Sequence, residues 1–172
     1  MTDWSEILRQ HGQVVWQTAY RLLGNHADAA DCFQKTWLDA WKLSRREPVG
    51  NWNALVRRLA TARALDLLRS RCRRTSRNEP LVDPSAVVDP EAGPQEQAEE
   101  AELAERLRAA LAELPEKQAE AFCLRWLDEM SYQEIGWRLD LDTNAVGVLL
   151  HRARKRLREL LGSTAPEPED AN

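Results

Sequence analysis

Eight arginines crowd into the 21 residues from Arg57 to Arg77: Arg57, Arg58, Arg63, Arg69, Arg71, Arg73, Arg74 and Arg77, opposed in that stretch only by Asp66. Guanidinium groups pair bidentately with phosphate and stack on bases. With Trp52 just ahead of them, the chemistry on offer is capture of single-stranded or distorted DNA. Taken alone, Trp52 reads as a core residue, whereas the arginine run favours phosphate over the alternative of a solubilising helix end with a basic linker. A second signal lies near the C-terminus. Ser131-Tyr132-Gln133-Glu134 is a capping box, with Tyr132, Ile135 and Leu139 on one face of the helix it opens. Asp140 to Thr143 is a turn of helix-turn-helix length. The stripe Val146, Leu149 or Leu150, Ala153, Leu157 and Leu160 then marks a second helix, ended by Gly162. Its exposed positions fall into two groups. Asn144, Ala145, Gly147, Val148 and His151 stand near its start, where base edges are met; Arg152, Arg154, Lys155, Arg156 and Arg158 follow, where phosphates are met. The basic run alone reads equally well as a solvated face complementing the helix dipole. The capped helix and turn before it favour DNA.

Catalysis finds no comparable cluster. His11, His26 and His151 are scattered without HExxH spacing, and there is no glycine-rich phosphate loop, no GxSxG and no paired-carboxylate arrangement. Cys32, Cys72 and Cys123 fit neither a disulfide framework nor a CxxC metal clip, so they are expected as reduced thiols. The chain is expected to be no enzyme, with no metal and no cofactor.

These side chains need elements to hold them, and the periodicity supplies only helices. With 172 residues, 43% hydrophobic and 30% charged, the chain is a folded protein of one to two small domains. No apolar run approaches the roughly 18 residues needed to span a bilayer, so no membrane insertion and a cytoplasmic location are expected. Apolar spacing of three and four predicts helices over 3–23, about 27–43 and from about 51 to the arginines near 74. From Asn78 to about Gln97, four prolines and acidic residues show no helical stripe, the composition of an extended linker. Helical pattern resumes at Leu103, stops at Pro115, and continues in three further segments. The fold class is therefore all-α: two small helical domains joined by an acidic, proline-containing linker, the second with a helix-turn-helix. The expected boundaries are 1–77, a linker over 78–102, 103–162 and an acidic disordered tail over 163–172. Charge follows the same divisions, with a net +7 over residues 1–78 and −8 over 79–102. A basic first half suits a polyanion or an acidic partner better than the overall −4 suggests.

In order and spacing, these residues resemble a bacterial sigma factor of the sigma-70 family, in the extracytoplasmic-function (ECF) group that keeps only regions 2 and 4. The resemblance rests on Leu23-Gly24-Asn25 through Asp28, Ala29, Asp31, Gln34 and Trp41, then Ala60, Ala64-Leu65-Asp66 and Leu68-Arg69. After the linker it continues with Leu111 to Glu116, Ser131 to Ile135, and Leu150 to Arg158. It implies an RNA polymerase specificity subunit that directs promoter recognition and melting. Core RNA polymerase would be bound through Asp28, Asp31, Gln34 and Asp39. The minus-10 element of promoter DNA would meet Trp52, Asn53, Arg57, Arg58, Thr61, Ala62, Arg69, Arg71, Arg73 and Arg74. The minus-35 element would meet Thr143, Asn144, Ala145, Gly147, Val148, His151, Arg152, Arg154 and Lys155. An anti-sigma factor is a further candidate partner.

The chain also departs from the family. Thr61-Ala62 stands where Arg-Asn is usual, and Gly147-Val148-Leu149 where Lys-Ser-Arg is usual. Polar readers are absent at both expected contact surfaces. Phosphates, thymine methyls and DNA shape are left to do more. The other reading left open is a sigma-like interaction protein that binds polymerase or a regulator without selecting promoters.

Overall fold

A computed structural model describes residues 3–76 and 94–162. The expectations for Arg77, for residues 78–93 and for the tail 163–172 lie outside these. Seven helices are described: α1 (Trp4–Leu23), α2 (His26–Ser44), α3 (Trp52–Thr75), α4 (Pro94–Glu113), α5 (Glu116–Trp126), α6 (Tyr132–Leu139) and α7 (Thr143–Leu161). The chain divides into two compact units between Glu102 and Leu103.

In the first unit, short polar side chains set where each helix begins. Asp3 accepts hydrogen bonds from the backbone N–H of Ser5 and Glu6, Asn25 from that of Asp28, and Asn51 from that of Ala54. Each satisfies amide groups that a helix start leaves without partners. The three helices pack on one another around Val15, Ala40, Val56 and Ala60, with Phe33, Trp37, Trp52 and Leu59 closing over them. Alanines at the contacts let the backbones approach closely. The Cys32 thiol donates to the Ala60 carbonyl, 3.5 Å away, which ties α2 to α3. Burial there pushes the thiol up to about 11, an effect that the hydrogen bond with Thr36 partly offsets.

The second unit is built on Ala121, Leu124, Met130, Ile135, Val146 and Leu150, with Trp126, Leu139, Leu141 and Leu149 against them. Arg106 reaches from α4 to donate to the Leu161 carbonyl at 2.7 Å, satisfying an end of α7. The predicted capping box is present: Ser131 Oγ accepts from the Glu134 amide while the Glu134 carboxylate accepts from the Ser131 amide. The Ser131 amide, the larger cause, and the Ser131 hydroxyl, which donates to the same carboxylate at 2.8 Å, hold the Glu134 carboxyl below its ordinary value.

The expected linker ends earlier than its composition suggested. Residues from Pro94 to Glu102 are helical, continuous with the stretch beginning at Leu103. Proline is well tolerated in a first helical turn, where its missing N–H would have no partner in any case, and the Glu, Gln and Ala that follow are good helix formers.

Candidate nucleic-acid interface

The helix-turn-helix is closed by a contact that only glycine permits. Asp140 ends α6 in the left-handed conformation, and the Leu141 amide donates back to the Gly136 carbonyl at 2.9 Å. A Cβ on Gly136 would stand 2.5 Å from the Leu141 carbonyl oxygen. Asp142 then caps α7 by accepting from the Ala145 amide at 2.8 Å. The turn thus lies directly on α6 and fixes where α7 starts.

One face of α7 is buried through Val146, Leu150, Ala153, Leu157 and Leu161. Of the expected stripe, Leu150 rather than Leu149 goes fully inward, and Leu161 rather than Leu160. The opposite face exposes Thr143, Asn144, Val148, His151, Arg152, Lys155, Arg156 and Arg158, with Ala145 and Gly147 half-buried at its edges. Most of the residues nominated for minus-35 DNA therefore share one surface. Arg154 does not: it is half-buried, with its guanidinium 5.8 Å from the centre of the Trp126 ring. Gly147 borders Tyr132, whose ring would lie 3.7 Å from an added Cβ, so a Cβ fits there without displacement. Tyr132, expected on the inner face of α6, is 37% exposed and lies under Arg125.

On α3 the nominated residues divide. Arg73 and Arg74 are exposed near its C-terminus, and Asn53, Arg57, Arg58 and Ala62 are partly exposed. Thr61 is not presented: at 1% exposure it lies on the face that also buries Ala64, Leu65 and Leu68. Trp52 packs edge-on against Trp4 of α1, with ring centres 5.3 Å apart. Arg71 also turns inward, its side chain 18% exposed. It donates to the Leu23 carbonyl at 3.2 Å and approaches Asp28 at 3.9 Å, clamping the α1–α2 turn. Arg69 reaches Asp66 at 3.6 Å, and Arg57 donates to Asn53 at 2.9 Å.

The residues nominated for polymerase divide as well. Gln34 is exposed, and Asp31 pairs with Lys35 along the surface at 2.7 Å. Asp39 is instead an internal group, 17% exposed and paired with Arg63 of α3, and this carboxylate holds the Arg63 guanidinium more firmly protonated. Beside Gln34, the sequence reading missed an open apolar groove of about 450 Å³ lined also by Leu8, Phe33, Trp37 and Leu38. It also missed Trp137 of α6, which is 76% exposed. Both Leu38 and Trp137 fall off their helices' apolar stripes, and that was the available signal. No helix among the described residues is long and apolar enough to cross a membrane.

Comparison with known proteins matches residues 7–74 to the family described as Sigma-70 region 2 and residues 104–157 to that described as Sigma-70, region 4. The chain belongs to the sigma-70 family. ECF RNA polymerase sigma factor SigE of Mycolicibacterium smegmatis is 33% identical over 97% of this chain, and the chain spans 65% of that relative's length. ECF RNA polymerase sigma factor SigW of Bacillus subtilis is 25% identical over 91% of this chain and 88% of its own. Among solved structures, the sigma factor RpoE of Bartonella quintana, in complex with the anti-sigma factor NepR, shares the fold with a TM-score of 0.56. It is 21% identical and covers 96% of this chain and all of its own. The all-helical reading with two regions agrees with the two family matches and with the shared fold.

Proposed function

We propose that this chain is an RNA polymerase sigma factor of the ECF group, which lends core polymerase a promoter address and performs no covalent chemistry itself. The observation that carries the reading is the pairing of the two regions, each with its own exposed surface. α7 offers a polar and cationic face opposite its buried stripe, at the helix position that enters a major groove in helix-turn-helix proteins. α3 offers Arg73 and Arg74 at its exposed end, with Arg58, Asn53 and Ala62 along its flank, to the minus-10 element and its melted strand. Gln34, which lines the apolar groove of α1 and α2, and Asp31 on the same helix meet core polymerase. Asp28, nominated with them, is partly exposed although linked to Arg71 and Asn25. An anti-sigma factor such as the one bound by the Bartonella relative would compete for surfaces of this kind, in the cytoplasm where polymerase works.

Run-off transcription tests the proposal. Core polymerase alone, and core polymerase with the chain, are given the same fragments of genomic DNA. A sigma factor yields discrete products that appear only when the chain is added. A protein that binds polymerase without selecting promoters, the reading favoured by the missing polar readers around Val148, yields none.

A further inference from the structure

Val148 occupies an unusual place. At about 100° per residue it falls directly opposite the stripe that α7 buries through Val146, Leu150, Ala153 and Leu157. It is 48% exposed, and its neighbours on that face, one turn away on either side, are Asn144, His151 and Arg152, with Lys155 a turn further on. An apolar side chain at the centre of a polar and cationic face keeps hydrocarbon in contact with water. A single exposed apolar residue is ordinary on a protein surface. One ringed by groups suited to a polyanion gains from desolvation only when that polyanion presents an apolar patch. In the major groove the base edges offer one such patch, the 5-methyl group of thymine.

The surrounding residues favour the same contact. Gly147 projects nothing beyond its backbone, so no longer side chain stands beside Val148 on the Tyr132 side. Ala145 is short and half-buried. The two methyls of Val148 are thus the leading apolar surface of the helix, with Asn144 placed one turn earlier for a neighbouring base edge and Arg152 and Lys155 placed for phosphates.

Resting on the sigma-factor reading above, we propose that Val148 is a specificity-determining residue that selects thymine at one position of the upstream promoter element by packing on its methyl group. The polar readers absent from α7 are replaced there by apolar readout.

The test uses holoenzyme assembled from the full chain and core polymerase. The upstream element is first found by run-off transcription from templates randomised in that region. Each thymine in the selected element is then replaced singly by deoxyuridine, which removes the methyl and leaves every hydrogen-bonding group in place. Burying one methyl group predicts a loss of about threefold to fourfold in promoter occupancy at a single position, and little change at the others. In Val148→Ala holoenzyme that penalty shrinks to nearly nothing, whereas Val148→Thr, which keeps one methyl, retains part of it. A penalty of undiminished size in Val148→Ala overturns the assignment, because another group then meets the methyl. Discrete starts with no deoxyuridine penalty anywhere overturn it too, while leaving the sigma-factor reading intact. If no template in the randomised pool yields a discrete start, the sigma-factor reading falls and the inference falls with it.

Discussion

α3 and α7 look alike as strings of charge, yet their cations do different work. On α3, Arg71 holds the carbonyl end of α1, Arg63 holds Asp39 of α2, and Arg69 leans on Asp66. On α7, Arg152, Lys155 and Arg158 stand on the exposed face, Arg156 pairs there with Glu159 at 3.2 Å, and the half-buried Arg154 turns to an aromatic ring. The cause is packing. α3 has neighbours on two sides, α1 and α2, so few of its positions avoid another helix. α7 buries one stripe against α5 and α6 and leaves the rest of its circumference open. Charge density along a sequence therefore measures how much positive charge a helix carries, and packing decides how much of it a polyanion can reach.

Because the open face of α7 depends on the tight turn before it, the largest way to break the contrast is Gly136→Ala. The new Cβ would meet backbone at Leu141, which cannot swing aside as a flexible side chain could. The second unit should lose about 3 kcal/mol or more, lowering its melting temperature by more than about 10 °C in calorimetry. The first unit's transition should not move.

A somewhat smaller effect should sharpen the comparison from the other side. Cys32 ties α2 to α3 as a neutral thiol, and its pKa in the fold, about 11, lies above the ordinary value of 9.0. Its contribution is fully present below pH 9 and is lost as pH rises through 11, since the unfolded chain ionises first. Two pKa units correspond to about 2–3 kcal/mol at the alkaline limit. Cys32→Ser keeps a donor in place and does not titrate, so denaturant unfolding of the first unit should show a flatter alkaline decline than wild type. An identical decline would mean that other groups control it.

The sequence made the helices legible because their signals are local. The Ser131–Glu134 box acts within three residues of where it stands, and the observed start of α6 follows it; Asn25 and Asn51 cap α2 and α3 over the same short span. The apolar stripes located the cores only in part: α2 buries Ala29, Cys32 and Thr36 while Trp41 stays exposed, and α3 buries Ala60, Ala64, Leu65 and Leu68. What stayed hidden was the pairing between distant positions. Arg71 is 48 residues from Leu23, Arg63 is 24 from Asp39, and Arg106 is 55 from Leu161. Nothing near Arg71 in the chain distinguishes it from Arg73, which is exposed. Thr61 was misplaced for a related reason. It was nominated because it stands where the family usually has Arg, but its phase on α3 matches Leu65 and Leu68, and phase prevailed. On α4, proline and acidic composition hid a helix, because the same residues that extend a linker also suit a first helical turn.

The difference between the two arginine sets can be measured in a single crossed experiment on the full chain. Binding to nonspecific duplex DNA is titrated against salt for wild type, for Arg63→Gln with Arg71→Gln, and for Arg152→Gln with Lys155→Gln, at a temperature where circular dichroism shows all three folded. Each lost phosphate contact lowers the slope of log affinity against log salt by about 0.9. The α7 pair should therefore reduce the slope by about two while leaving melting unchanged. The α3 pair should leave the slope near wild type and lower the first unit's melting temperature by about 4–8 °C per kcal/mol lost. Equal slopes for the two pairs, or a slope reduced by the α3 pair alone, would contradict the claim that α7 presents its charge to DNA while Arg63 and Arg71 hold the first unit together.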